Sequence, residues 1–68
     1  MASNRAIVRL GNLVKYRRHV LAGYTIGLIV SLTTTRIVLY TDNNVCIDIP
    51  RDFEGNMQLV SRPYSRVL

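Results

Sequence analysis

The chain has 68 residues, of which 49% are hydrophobic, and a formal net charge of +5. A chain of this length forms one domain and buries only about 60% of its unfolded surface, so a partner or a second copy would add stability to its small core. The apolar share excludes a disordered tail, and the short chain offers too few catalytic groups for a self-sufficient enzyme.

Two structures fit the first third of the chain. Two short apolar runs flank Gly11-Asn12, a pattern typical of a hairpin with a two-residue turn. A helix over about residues 4–22 also fits, with Ser3 as its cap and Gly23 as its stop. Gly11 in its middle would cost that helix about 1 kcal/mol relative to alanine. The hairpin is therefore the preferred interpretation, and the helix stays open.

The next segment, Tyr24 to Leu32, has the clearest strand pattern. Its alternate positions hold Thr25, Gly27, Ile29 and Ser31. Side chains of period two lie on opposite faces of a strand, so this alternation predicts a β-strand. The residues that share the more apolar face are Tyr24, Ile26, Leu28, Val30 and Leu32.

A membrane span is the alternative interpretation of the same part of the chain. From His19 to Thr35 there is no formally charged residue. A spanning helix usually needs about 20 apolar residues, and this shorter window contains threonines, a serine and glycines. A membrane span also leaves the period-two pattern unexplained, so a membrane partner is not expected.

A second hairpin is predicted around a short polar turn. Arg36–Thr41 is β-branched and aromatic, and apolar residues alternate again over Val45–Ile49. Between them, Asp42–Asn44 has the composition of a tight turn, because Asp and Asn tolerate positive φ and bond their own backbone. Pro50 ends the second strand because it cannot donate to the ladder.

The remaining residues predict a helical turn and a closing strand. Arg51–Glu54 can form one short turn of helix, after which Gly55-Asn56 reverses the chain. Met57–Ser61 is long enough for a last strand, which Pro63 terminates.

The order of these elements from Gly23 to Pro63 resembles small SH3-like barrels, including Sm-like RNA-binding proteins. The resemblance implies an all-β fold, a small five-stranded barrel preceded by the N-terminal helix or hairpin. The final segment looks like the end of the bacterial Hfq-type Sm fold. The segments that carry the resemblance are Gly27–Leu32, Arg36–Tyr40 and a turn, Val45–Pro50, the helical turn, and the closing strand with Ser61-Arg62-Pro63.

One departure limits what the resemblance implies. Hfq proteins place a lysine–histidine pair before their last strand, and here Pro50–Phe53 stands in that place. Uridine binding and a hexameric ring are therefore not carried over to this chain.

No catalytic or metal-binding constellation is found. Cys46 is the single cysteine, so the chain has no internal disulfide. Cys46 and the single histidine, His19, are too few ligands for a zinc site. It is expected to be a half-buried strand residue in a reducing compartment. His19 has no carboxylate near it in sequence, so it is not a general base. Three acids, Asp48, Asp52 and Glu54, lie close to Arg51 in sequence. They are expected to form salt bridges with Arg51 instead of binding a divalent metal. No cofactor is predicted.

Charge divides the single domain of residues 1–68 into three parts. A basic N-terminal segment, residues 1–19, contains no acid, and a basic tail spans residues 62–68. The β body between them, residues 20–61, holds all four acids and two arginines. Two positive ends around a mildly negative middle indicate a surface that meets a polyanion.

Basic residues interleaved with tyrosines are the most informative motif. Lysine and arginine neutralise phosphates, and a tyrosine ring can stack on an unpaired base. Tyr16 fits the core equally well, and Tyr64 can instead pack over a barrel end. The predicted nucleic-acid-binding residues are Arg5, Arg9, Lys15, Tyr16, Arg17, Arg18, His19, Arg62, Tyr64 and Arg66.

The leading functional hypothesis is a small, non-catalytic module that binds RNA or DNA or associates with nucleoprotein. The first alternative is a protein-binding adaptor or inhibitor, such as a viral or phage factor that docks on a larger host enzyme by strand addition. The second is a structural subunit of a particle whose basic ends line packaged genome. A homo-oligomer or complex subunit is expected in each case. The first residues lack the apolar stretch of a signal peptide, so a cytoplasmic location is expected.

Overall fold

A computed structural model of the protein describes residues 7–62. These residues form an antiparallel five-stranded sheet in the order β4-β3-β2-β1-β5, as the sequence predicts for an all-β fold. In the described residues no ladder joins β4 to β5, so these two strands are the edges of the sheet. The elements are β1 (Leu13–Tyr16), β2 (Thr25–Leu32), β3 (Arg36–Thr41), β4 (Cys46–Pro50), a 3₁₀ helix (Arg51–Asn56) and β5 (Met57–Ser61).

The core lies on one side of the sheet and draws on every strand. Val14 of β1 and Ile37 and Leu39 of β3 are fully buried. Burying one such aliphatic side chain contributes about 1.5–3 kcal/mol, so this cluster is the main term that favours folding. Ile7, Leu32, Ile47 and Phe53 pack against it, and its buried members are Val8, Val14, Tyr16, Ile29, Ile37, Leu39, Ile49 and Met57.

The strand β2 turns its more apolar side to solvent. Ile26, Leu28 and Val30 are 45%, 37% and 45% exposed, whereas the alternate positions Gly27 and Ile29 are buried. Ile29 is enclosed because both neighbouring strands send core residues to the same side. The segment with the period-two pattern is therefore a strand, as predicted, but the face that carries more apolar residues lies outside the core.

A bulge in β2 moves one residue to the opposite face from the one predicted. The pairing of β2 with β3 shifts register between Ile29 and Ser31, after which Leu32 pairs with Ile37. An extra residue in one strand changes the phase of the inward–outward alternation. Leu32 consequently packs against the core instead of sharing the outward side of Val30.

The first third of the described chain contains one strand and no helix. Residues 7–10 form turns, so the two-strand hairpin predicted around Gly11 is wrong, as is the helix over residues 4–22 in its described part. Gly11 has φ 89°, a backbone conformation that glycine adopts without steric cost. This turn places Asn12 against β2, where Ile29 N donates to Asn12 O at 3.0 Å. The strand β1 then pairs with β2 and β5 instead of with residues 7–10.

The second half of the chain follows its sequence pattern closely. The β3–β4 hairpin and the closing strand are confirmed, with β4 beginning one residue later than predicted. Asn44 takes the positive φ of 63° in the turn, and Tyr40 Oη donates to its Oδ1 at 2.6 Å. The helical turn predicted at Arg51 extends to Asn56. In the described residues no helix is long and apolar enough to cross a membrane.

Candidate functional site

The predicted basic residues of the N-terminal segment lie around β1. Lys15 is in β1, and Arg17, Arg18 and His19 begin the loop of residues 17–24 that leads to β2, here named the basic loop. Arg9 lies in the turn before β1, since Asn12 N donates to Arg9 O at 3.2 Å.

Two basic clusters thus lie at opposite ends of β1. At the far end from the basic loop, Ser61 pairs with Leu13, which brings Arg62 to the same end as Arg9. A four-residue strand separates the clusters by about 10 Å. The predicted residues Arg5, Tyr64 and Arg66 lie outside the described residues.

Hydrogen bonds from the 3₁₀ helix hold the backbone of the basic loop. Asn56 Nδ2 donates to Arg17 O and to Arg18 O, each at 3.0 Å. Within the loop, Ala22 N donates to His19 O at 2.9 Å. The loop is therefore anchored through its carbonyl groups, while the side chains of Arg18 and His19 are exposed.

An aromatic ring that sequence reasoning left out of the site lies beside two of the cations. Lys15 Nζ is 4.6 Å and Arg17 Cζ is 4.7 Å from the ring centroid of Tyr24, which is 42% exposed. Each such contact at an exposed site contributes about 0.5–1 kcal/mol. The antiparallel pairing of Tyr16 with Thr25 brings these residues together, and a hairpin prediction joining β1 to β2 would have found them.

Tyr16, by contrast, belongs to the core. It is 8% exposed, and its ring stacks on Phe53 with the centroids 6.5 Å apart. Because the ring faces core residues, Tyr16 is not available to stack on a base. Of its two interpretations, the structure supports the core one.

The basic loop and the start of β5 line a cleft of about 460 Å³. Arg17, Arg18 and Tyr24 line it from the loop, and Asn56 and Gln58 from the opposite wall. No acid is among the described residues that line it. The cleft therefore combines cationic, aromatic and amide groups.

The acids of the β body neutralise other arginines. Arg36 Nε is 3.0 Å from Asp48 Oδ1, and Arg51 Nη2 is 3.3 Å from Glu54 Oε1. The salt bridging predicted around Arg51 is therefore present with Glu54, whereas Asp48 pairs with Arg36. Within residues 7–62, no carboxylate lies in salt-bridge range of the basic residues Lys15, Arg17 and Arg18.

No metal centre is formed by the part of the chain that the structure describes, since no three His, Cys, Asp or Glu residues come together there. Cys46 is exposed, not half-buried as expected. Compared with protein-family models, curated proteins and solved structures, the chain has no match.

Proposed function

We propose that the protein is a small, non-catalytic nucleic-acid-binding module built on a barrel of the SH3-like or Sm-like kind. The chain order of β2, β3, β4, the 3₁₀ helix and β5 supports this fold type because it matches the order of elements that the resemblance implies. The observation that carries the function is the cluster of cations around the exposed ring of Tyr24, beside a cleft lined by no acid among its described residues.

Two kinds of contact follow from this cluster. Lys15, Arg17 and Arg18 neutralise phosphates, which releases counterions from the nucleic acid. Tyr24 supplies a ring on which one unpaired base stacks in place of one of the two cations, a contact worth about 1–3 kcal/mol. Arg9 and Arg62, at the other end of β1, extend the basic surface along the strand. Recognition is therefore dominated by charge and favours single-stranded segments with accessible bases.

The first test is a salt series of fluorescence-anisotropy titrations with labelled single-stranded and duplex RNA and DNA. Affinity should fall linearly with the logarithm of salt concentration, and Arg18→Gln should reduce the slope by about 0.7–0.9. Arg36→Gln is the matched control, because it removes the same charge from an arginine already paired with Asp48. Equal slopes for both variants, or no binding at low salt, would contradict the proposal.

A second pair of variants separates stacking from charge. Tyr24→Ala should weaken binding of single strands by about 5- to 150-fold, as expected from the loss of one stacked base. Tyr24→Phe keeps the ring and should bind as the wild type does. If the phenylalanine variant is as weak as the alanine variant, the ring does not act by stacking.

A protein-binding adaptor is the second candidate function. The observation that favours it is the pair of sheet edges, β4 and β5, which have no neighbouring strand among the described residues. An edge strand can accept a strand from a partner through main-chain hydrogen bonds. A partner captured from lysate that withstands nuclease and high salt would support the adaptor over the nucleic-acid module.

A further inference from the structure

The outer face of the sheet, on the side away from the core, is a continuous apolar surface. Leu13, Leu28 and Tyr40 form a row across β1, β2 and β3, because Leu28 pairs with both of the others. Ile26 and Val30 continue the surface along β2, each 45% exposed. Contiguous exposed apolar patches on small soluble proteins mark interaction sites.

The charges on this face are arranged symmetrically about β2. Lys15 on β1 pairs with Ile26. Gly27 pairs with Thr41, the last residue of β3, so Asp42, the first residue of the turn that follows, lies level with Ile26 on the other side of β2. Adjacent strands are about 4.8 Å apart, so a cation and an anion flank β2 at equal distances. Asp42 is exposed, and no cation among residues 7–62 lies in salt-bridge range of it.

The face differs in charge from the basic loop. Besides Lys15 and Asp42, it carries Asp48 and Arg36, which neutralise each other at 3.0 Å. These four charges sum to zero, so the face offers a polyanion no net attraction. An apolar surface with balanced charges fits a protein partner better than nucleic acid.

We propose that two copies of the chain pack outer face against outer face around a two-fold axis that lies in the interface and runs roughly along β2. A symmetric interface requires that each residue meets its symmetry partner on the other copy. This axis places β1 of one copy over β3 of the other, so Lys15 lies opposite Asp42 twice. Leu13 lies opposite Tyr40, and Leu28 meets its own counterpart.

This arrangement follows the ordinary packing of two sheets. Antiparallel sheets pack face to face about 10 Å apart, with strand directions about 30° from each other. The dimer covers the apolar face that each single chain exposes, which adds the burial that a small core lacks. Arg18 and the cleft at the basic loop lie beyond the end of β1, whereas Lys15 belongs both to the dimer face and to the nucleic-acid site.

Sedimentation equilibrium of the full chain over a range of concentrations tests the proposal. The wild type should show a reversible monomer–dimer equilibrium, and Val30→Asp should be monomeric. Leu21→Asp is the control: Leu21 is 90% exposed and lies in the basic loop, off the face. Circular dichroism should show the same sheet content for both variants.

A charge swap tests the two-fold geometry itself. Lys15→Asp and Asp42→Lys should each weaken the dimer about tenfold, because each replaces two attractions by two repulsions. The double variant should restore the wild-type dissociation constant. The proposal is overturned if the wild type stays monomeric, if Val30→Asp and Leu21→Asp behave alike, or if the swap fails to restore the dimer. It is also overturned if Val30→Asp weakens oligonucleotide binding by the monomer, since the face would then bind nucleic acid.

Discussion

Gly27 lies at a close approach between β2 and β3 on the core side of the sheet. A Cβ added there would lie 2.9 Å from Leu39 Cβ and 3.3 Å from Tyr40 O. Both of these atoms are held by the backbone of β3, so neither can move away cheaply. Gly23, in the basic loop, has no heavy atom within 4 Å of the same added carbon.

We therefore expect Gly27→Ala to destabilise the fold by about 1–3 kcal/mol, through strain in a packed core. Gly23→Ala, the matched control, should be neutral or stabilise it by up to about 1 kcal/mol, because it lowers the entropy of the unfolded chain. Urea denaturation followed by circular dichroism measures both. A Gly27→Ala variant as stable as the wild type would show that β3 can shift away from β2.

The pairing register of the strands determines the different environments of the two tyrosines near the basic loop, Tyr16 and Tyr24. Tyr16 lies on the core side of β1, where it packs on Phe53. Tyr24 precedes β2 and lies within reach of Lys15 and Arg17. The aromatic contribution to the proposed site therefore comes from Tyr24. Its neighbours in sequence, from His19 to Thr35, carry no formal charge and gave no sign of this role.

The 3₁₀ helix is the element that connects the two ends of the sheet. At its start, Arg51 Nη1 donates to Thr33 O at 2.7 Å, and Arg51 N donates to Thr35 O at 2.9 Å. At its end, Asn56 holds the carbonyl groups of the basic loop. A six-residue helix thus ties the β2–β3 turn to the proposed binding site.

The hydrogen bond from Arg51 to Thr33 O should stabilise this connection more than the ion pair between Arg51 and Glu54 does. Arg51→Ala removes the bond to Thr33 O, which is charge-assisted, and we expect a loss of about 1.5–3 kcal/mol. Glu54→Gln removes only the charge of a partly exposed pair, for which at most about 1 kcal/mol is expected. Chemical denaturation of both variants gives the comparison. Equal losses would mean that the ion pair, not the carbonyl contact, anchors the helix.

In the whole molecule, the proposed nucleic-acid site and the proposed dimer face adjoin each other and share Lys15. The basic loop lies at one end of β1, next to the 3₁₀ helix. The outer face is centred on β2 and is flanked by Lys15 and Asp42. Because each proposed surface exists only in the folded chain, a ligand of either one should stabilise the fold by mass action.

Thermal unfolding can therefore separate the two proposals. At ten times its dissociation constant a ligand stabilises the fold by about 1.4 kcal/mol, which raises the melting temperature of a domain this small by about 6–11 °C. The wild type should melt higher with added oligonucleotide and at higher protein concentration. Val30→Asp should lose only the concentration dependence, and Arg18→Gln should weaken only the oligonucleotide effect. A melting temperature that responds to neither would argue against both surfaces.

Local chemistry determined most of the strand positions. Turn residues such as Asp42–Asn44 and the proline at Pro50 restrict φ and ψ within a few residues, whatever the rest of the chain does. The ends of β2, β3, β4 and β5 could therefore be predicted to within about a residue. The concentration of basic residues before Val20 is likewise a property of the sequence alone.

Only the tertiary structure decided which side of each strand is buried. Alternation defines two faces, but both faces of β2 carry apolar residues, and Ile29 is buried because β3 packs Leu39 beside it. The bulge that sends Leu32 inward is a response to that pairing. The position of Tyr24 beside Lys15 depends on the same long-range register, since contacts between neighbouring strands are set by which residues pair, and no local pattern contains that information.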